Sequence, residues 1–165
     1  MAKYQLAQVN IGILRAPLDS PQIADFVANL EPVNALAEKA PGFVWRLIGD
    51  GDDATSVHGF EDEGPGLIIN MSVWTSIEAL SDFAFNGEHL AIMRRRREFF
   101  EKMDRAYAAL WWVPAGTRPT VHDAESKVAH VRTDGPTPAA FTLAKPFPGP
   151  GGAPVRRVTE TCPAG

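Results

Sequence analysis

A single cysteine, Cys162, stands three residues from the end of this 165-residue chain. One thiol can form neither a disulfide framework nor a cysteine zinc site, so the fold must be held by its core. Basic charge is also short. Sixteen Lys and Arg against twenty Asp and Glu leave a net charge of -4, which argues against a general nucleic-acid binder. No apolar run reaches the roughly 18 residues of a membrane span. The opening MAKYQLAQVNIGIL enters strand-like alternation without a signal-peptide cleavage pattern, so the cytoplasm is the expected compartment. H-E-x-x-H, the P-loop and G-x-S-x-G are all missing, and GDGDDATS lacks the spacing and closing Glu of a calcium loop.

What is present describes a globular protein: 45% hydrophobic and 22% charged residues, in a length that suits one domain. Residues 3 to 14 alternate as a strand, with Val9, Ile11 and Ile13 on one face and Gln8, Asn10 and Gly12 on the other. Ser20 as N-cap and Pro21 at the first position open a helix bearing Ile23, Phe26, Val27 and Leu30 at helical spacing. Pro32 should kink or divide that helix, and Pro41-Gly42 should end it.

FVWRLIG and GLIINMSVW read as strands. SIEALSDFAF and the arginine-rich stretch after Asn86-Gly87 read as helices, and AALWWVPAG as a fourth strand. A capping-box pattern, Thr120 to Asp123, opens a further short helix. Seven prolines in the 31 residues from Gly135 predict an extended tail over the domain, with room for one edge strand in AFTLAKPF. The order β-α-β-β-α-β is the ferredoxin-like arrangement of an α+β protein. The domain is expected over residues 1–148 and a Pro/Gly-rich tail over 149–165.

The stretch EHLAIMRRRREFFEKM, residues 88 to 103, carries four consecutive arginines. On a helix of about 100° per residue, His89, Ile92, Met93, Arg96, Phe99, Phe100 and Met103 share one face. Arg94, Arg95 and Arg97 fall among acids, and the i,i+4 pairs Arg94–Glu98, Arg97–Glu101 and Glu98–Lys102 predict a solvated, charge-balanced surface. Arg96 differs, because an unpaired charge beside Met93 and Phe100 is costly to bury. It must pair with a carboxylate, reach the helix end or face a polar cavity. With His89 on the same stripe, the expectation is that both reach one cavity. The third strand adds to this: Leu67, Ile69, Met71 and Val73 form a greasy face, while Ile68, Asn70, Ser72 and Trp74 form a mixed one. Trp45, Trp111 and Trp112 supply further aromatic surface.

APLDSPQIADFVANLEPVNALAEKAPGFVWRL, NMSVWTSIEALSDFAF, HLAIMRRRREFF and LWWVPAGTRPTV together resemble a bacterial family of uncharacterised proteins, over about residues 4 to 148. That family is assigned to the dimeric α/β-barrel superfamily, which includes the antibiotic-biosynthesis monooxygenases. The resemblance implies a ferredoxin-like protomer whose sheet packs against that of a second copy in a homodimer. It also implies a ligand pocket between sheet and helices in each protomer.

It brings two chemistries. In cofactor-free monooxygenases of the superfamily, an electron-rich phenolic or polyketide substrate reacts with oxygen once it is deprotonated. Here His89 is the candidate base, Arg96 the anion stabiliser, and Asn10 and Trp74 the positioning groups. Phe83, Met93, Phe100, Trp112 and Trp45 are candidates for the substrate wall. Small haem-degrading members carry an Asn on the first strand, a Trp on the helix after the third strand and a later His as iron ligand. VWTSIEALSDFAFNGEH is similar to their W-x-S start, with Asn10 and His89 matching in kind. Phe83 replaces the helix Trp and His89 comes several residues early, so the alternative here is haem binding through His89 with the ring left intact.

The leading expectation is a monooxygenase-like enzyme acting on a small apolar or aromatic molecule without metal or flavin. Haem binding and a non-catalytic ligand-binding homodimer are the alternatives. Neither nucleic acid nor membrane is an expected partner.

Overall fold

The computed structural model describes residues 3–49, 55 and 57–155. Cys162 and most of the GDGDDATS loop lie outside them. Strand β1 (Tyr4–Ile13) is followed by a 3₁₀ turn (Pro21–Ile23) and helix α1 (Ala24–Lys39), then β2 (Phe43–Arg46) and β3 (Leu67–Trp74). Helices α2 (Ile77–Ala84), α3 (Gly87–Arg94) and the single turn α4 (Arg96–Phe99) lead to β4 (Ala108–Pro114) and α5 (Val121–Asp134). The sheet order is β2-β3-β1-β4, and every neighbouring pair is antiparallel. That order is the ferredoxin-like one, so the α+β class read from the element sequence is the fold observed.

Because side chains alternate along a strand, the β1–β3 register sorts the sheet into two faces. Ala7 opposite Val73, Val9 opposite Met71 and Ile11 opposite Ile69 form an aliphatic face. Ala124, Val128 and Val131 of α5 join these residues in one buried cluster. Helix α5 opens with the expected capping box, the Thr120 hydroxyl accepting from Asp123 N–H and the Asp123 carboxylate from Thr120 N–H. This bears on the dimer implied by the family resemblance. The chain's own C-terminal helix already buries the face that would meet a second sheet, with Val9, Ile11, Ile69, Met71 and Val73 at most 1% exposed. Sheet-to-sheet pairing of two copies there would require α5 to leave.

The other face carries Leu6 opposite Trp74, Gln8 opposite Ser72, Asn10 opposite Asn70 and Gly12 opposite Ile68. Helix α1 stands over it without filling the space beneath. Of its inward stripe (Phe26, Leu30, Val33 and Ala37), only Ala37 is buried, and Val27 points outward. Pro32 sits inside α1, which is not divided there.

The arginine-rich stretch is the main departure from expectation. The periodicity predicts one helix over residues 88 to 103, but α3 stops at Arg94, Arg95 takes φ -92° and ψ 7°, and the chain turns extended at Phe100. Two tertiary ties fix the break. Arg95 bonds Asp25 of α1 at 2.8 Å and Glu98 at 2.7 Å, and Phe99 and Phe100 pack with Leu14, Ile23 and Phe26. Glu98 therefore serves Arg95 rather than the Arg94 that helical spacing predicts. Met103 leaves the stripe and packs against the α5-side core.

Among its described residues, the proline-rich segment makes isolated bridges and no edge strand. Phe141 is fully buried and exchanges two 2.8 Å backbone bonds with Leu110 of the edge strand β4.

Candidate functional site

Between the mixed sheet face and α1, α2 and α3 lies a cavity of about 580 Å³, predominantly apolar and open to solvent along part of its rim. His89, Arg96, Asn10, Trp74, Phe83, Met93 and Phe100 all line it. Trp45 and Trp112, also expected there, do not. Trp45 packs on the α5-side core, and Trp112 donates its indole N–H to Phe147 O at 3.0 Å, clamping the C-terminal segment. Tryptophan in a strand sequence does not by itself show which neighbour it will cover. The segment after α5 contributes instead through Thr142, Leu143 and Ala144, which line the cavity.

A polar ladder crosses the cavity floor. The Trp74 indole N–H and the Gln8 side-chain amide both donate to Ser72 Oγ at 2.8 Å, and the Gln8 amide reaches Asn70 Oδ1 at 2.8 Å. Asn10 donates to Gln8 Oε1 at 3.3 Å. These bonds follow from the register, which sets Gln8 opposite Ser72 and Asn10 opposite Asn70. Satisfied in this way, the Gln8 amide costs little to bury, and the ladder holds a fixed pattern against a ligand.

His89 sits on α3 with its ring against Phe83 at 4.9 Å between centroids, and Phe83 stacks on Trp74 at 5.3 Å. Its Nδ1 lies 2.9 Å from the Ala84 carbonyl oxygen. A carbonyl can only accept, so Nδ1 carries the proton and Nε2 keeps its lone pair in the neutral ring. Burial pushes the imidazole below its ordinary value of 6.5, and the Ala84 bond opposes this only in part. At neutral pH His89 is therefore an uncharged base with a fixed tautomer.

Arg96 holds the other end. One terminal nitrogen donates to Ile11 O at 3.0 Å, and the guanidinium lies over the rings of Tyr107 and Phe100, 4.6 and 5.0 Å from their centroids. Burial lowers its pKa from the ordinary value, and Tyr107 acts in the opposite sense. The group nonetheless stays protonated. Among the described residues no carboxylate pairs with it. Of the three readings the sequence left open for Arg96, the helix-end and ion-pair ones give way to a cation in the cavity wall.

Gly12 makes room for this arrangement. A Cβ there would stand 2.5 Å from Phe100 Cδ1 and 3.3 Å from an Arg96 terminal nitrogen. Tyr107 sits in an aperiodic stretch before β4, so no sequence pattern marks it. Gln8, Asn70 and Ser72 read in the sequence as a mixed face. Their alternation opposite aliphatic residues was the signal that marks them as floor.

Among the described residues, no group of three or more His, Cys, Asp and Glu is placed to hold a metal ion, and no helix is long and apolar enough to cross a membrane.

The topology and the hollow define a ferredoxin-like α+β protein with an apolar chamber between one sheet face and its helices. The chain belongs to the family described as Domain of unknown function (DUF3291), which matches residues 5–157, in keeping with the resemblance to an uncharacterised family. No curated protein matches it in sequence. Among solved structures it is similar to PA3566 from Pseudomonas aeruginosa, at 12% identity and a TM-score of 0.45, over 68% of this chain and 95% of that one. It is also similar to SnoaB, a cofactor-independent oxygenase from Streptomyces nogalater, at 18% identity and a TM-score of 0.40, over 72% and 97%. A third is NE2512, a protein of unknown function from Nitrosomonas europaea, at 13% identity and a TM-score of 0.42, over 72% and 95%.

Proposed function

We propose that the protein is a small-molecule-binding, monooxygenase-like enzyme that oxidises an apolar aromatic substrate with molecular oxygen, using no metal or flavin. The observation that carries this reading is the His89 geometry: a half-buried neutral imidazole, locked with Nδ1–H on the Ala84 carbonyl, in the wall of an apolar chamber. Such a ring is a general base ready at neutral pH.

In the proposed reaction His89 Nε2 takes the phenolic proton. The anion passes one electron to oxygen, the resulting radical pair combines at the para carbon, and the peroxide loses water. A hydroxyarene and one oxygen molecule become a quinone and one water, and the proton on His89 leaves with that water. The positive field of Arg96 favours an anionic substrate more strongly in a dry chamber than in solvent. The Gln8, Asn10, Asn70 and Ser72 ladder orients the ring, and Trp74, Phe83, Met93 and Phe100 provide its apolar surround.

The same imidazole favours a second reading. A haem-ligating histidine commonly fixes its tautomer by donating the distal N–H to a backbone carbonyl, as His89 does to Ala84. His89 would hold the iron through Nε2, with Trp74 and Phe83 as apolar neighbours. Bound haem would supply redox-active iron.

Oxygen uptake by metal-free protein with 1-naphthol and other hydroxyarenes that carry hydrogen at the para carbon separates these readings. The first predicts turnover above the autoxidation blank, abolished in His89→Gln and indifferent to chelator. No uptake, with a Soret shift on hemin addition that His89→Gln removes, would replace it with the second. No uptake and no Soret shift would leave a ligand-binding protein.

A further inference from the structure

The chain carries four more acids than bases, yet none of the described residues lining the chamber is an Asp or Glu. The charged or titratable groups in the lining are Arg46, His89, Arg96 and the phenol of Tyr107. Arg46 is bonded to Glu38 at 2.8 Å. His89 is neutral, as argued above. That leaves Arg96 as the net charge of the chamber. Only one of its five N–H groups has a protein acceptor among the described residues, the Ile11 carbonyl. A half-buried guanidinium facing an apolar volume without a carboxylate is costly unless a ligand completes it.

Its position relative to His89 decides what kind of ligand. His89 is anchored through Phe83 to Trp74, which stands opposite Leu6 on β1, whereas Arg96 is bonded to Ile11. Leu6 to Ile11 spans roughly 16 Å of strand, and the break at Arg95 sets His89 on α3 and Arg96 on α4. The base and the cation therefore address opposite ends of a ligand rather than one oxygen atom.

We infer that the substrate is an apolar aromatic acid, whose permanent carboxylate docks on Arg96 while the ionisable hydroxyl lies at the His89 end. This rests on the proposed function for the role of His89 but not for the docking of the anion. The guanidinium offers a parallel pair of N–H donors to a carboxylate, and its two ring neighbours and the Gly12 backbone leave little freedom to swing away. A neutral ester of the same shape gains the apolar contacts and leaves the cation unanswered.

Equilibrium binding tests this without turnover. Titrating the full chain with 2-naphthoate and with methyl 2-naphthoate, by calorimetry or tryptophan quenching, should show the acid bound at least tenfold more tightly. Arg96→Gln should erase that preference, Arg96→Lys should keep part of it, and His89→Gln should leave it intact. Equal or tighter binding of the ester by the natural protein would overturn the inference, and that comparison needs no variant to fold. Retention of the full acid preference in a folded Arg96→Gln protein would overturn it as well. Absence of oxygen uptake would sink the catalytic reading while leaving the acid preference to be measured.

Discussion

Replacing Gly12 by alanine tests how closely the Arg96 end of the chamber is built. In an ordinary strand the change removes backbone freedom from the unfolded chain and stabilises by about 0.5–1 kcal/mol. Here the added methyl would stand 2.5 and 2.8 Å from two Phe100 ring carbons. Comfortable carbon contacts begin near 3.5 Å, so the ring must retreat by about 1 Å. It has little room, because Phe100 is 8% exposed, meets Phe26 edge-on at 5.0 Å and is tied by its backbone to Leu14. Overpacking of this kind costs about 1–3 kcal/mol, which outweighs the entropic gain and leaves a net loss of about 1–2 kcal/mol. For a chain of this length that lowers Tm by about 2–8 °C. Phe100 is a ring under the guanidinium, so its displacement should also weaken 2-naphthoate binding more than binding of the ester. Thermal denaturation by circular dichroism and the two titrations read both effects. A Tm equal to or above that of the natural protein would refute the packing argument.

Two further perturbations probe other parts of the account. Because burial depresses the His89 pKa, kcat/KM should be flat from neutral pH upward and fall in acid with an apparent pKa below 6.5. An inflection at or above 6.5 would contradict a buried neutral base. The same depression means the unfolded chain binds more protons between the two pKa values, so stability contributed by a neutral His89 is lost as pH falls through that window. Glu63, with a side chain 6% exposed, accepts from both Arg132 of α5 and Arg105. Glu63→Ala leaves a buried guanidinium without its carboxylate and should cost about 3 kcal/mol, read as a lower denaturant midpoint. An unchanged midpoint would show that the Glu63 pairs contribute nothing to holding α5.

The layers of this fold were legible because they rest on local alternation. Val9, Ile11, Met71 and Val73 announce a buried sheet face, and Thr120 with Asp123 announces the start of α5. Where the chain departs from its own periodicity, tertiary contacts decide. Residues 88 to 103 have a helical stripe throughout, yet the Arg95–Asp25 pair and the Phe26, Phe99 and Phe100 cluster break the helix. That break carries Met103 to the opposite face of the sheet while Arg96 still reaches the chamber. The site was half legible for the same reason. Two ionisable groups on an apolar stripe pointed to a cavity, but a one-dimensional spacing cannot tell that Trp45 and Trp112 cover other surfaces. Nor does it reveal that α5 packs on the aliphatic face of the sheet.

The most direct test of the central claim is a crystal structure of the protein with 2-naphthoate. The account predicts the ring in the chamber above the Gln8, Asn70 and Ser72 floor, with its carboxylate within hydrogen-bonding distance of the Arg96 guanidinium. A chamber closed by its own side chains, or a ligand seated with its carboxylate away from Arg96, would contradict it.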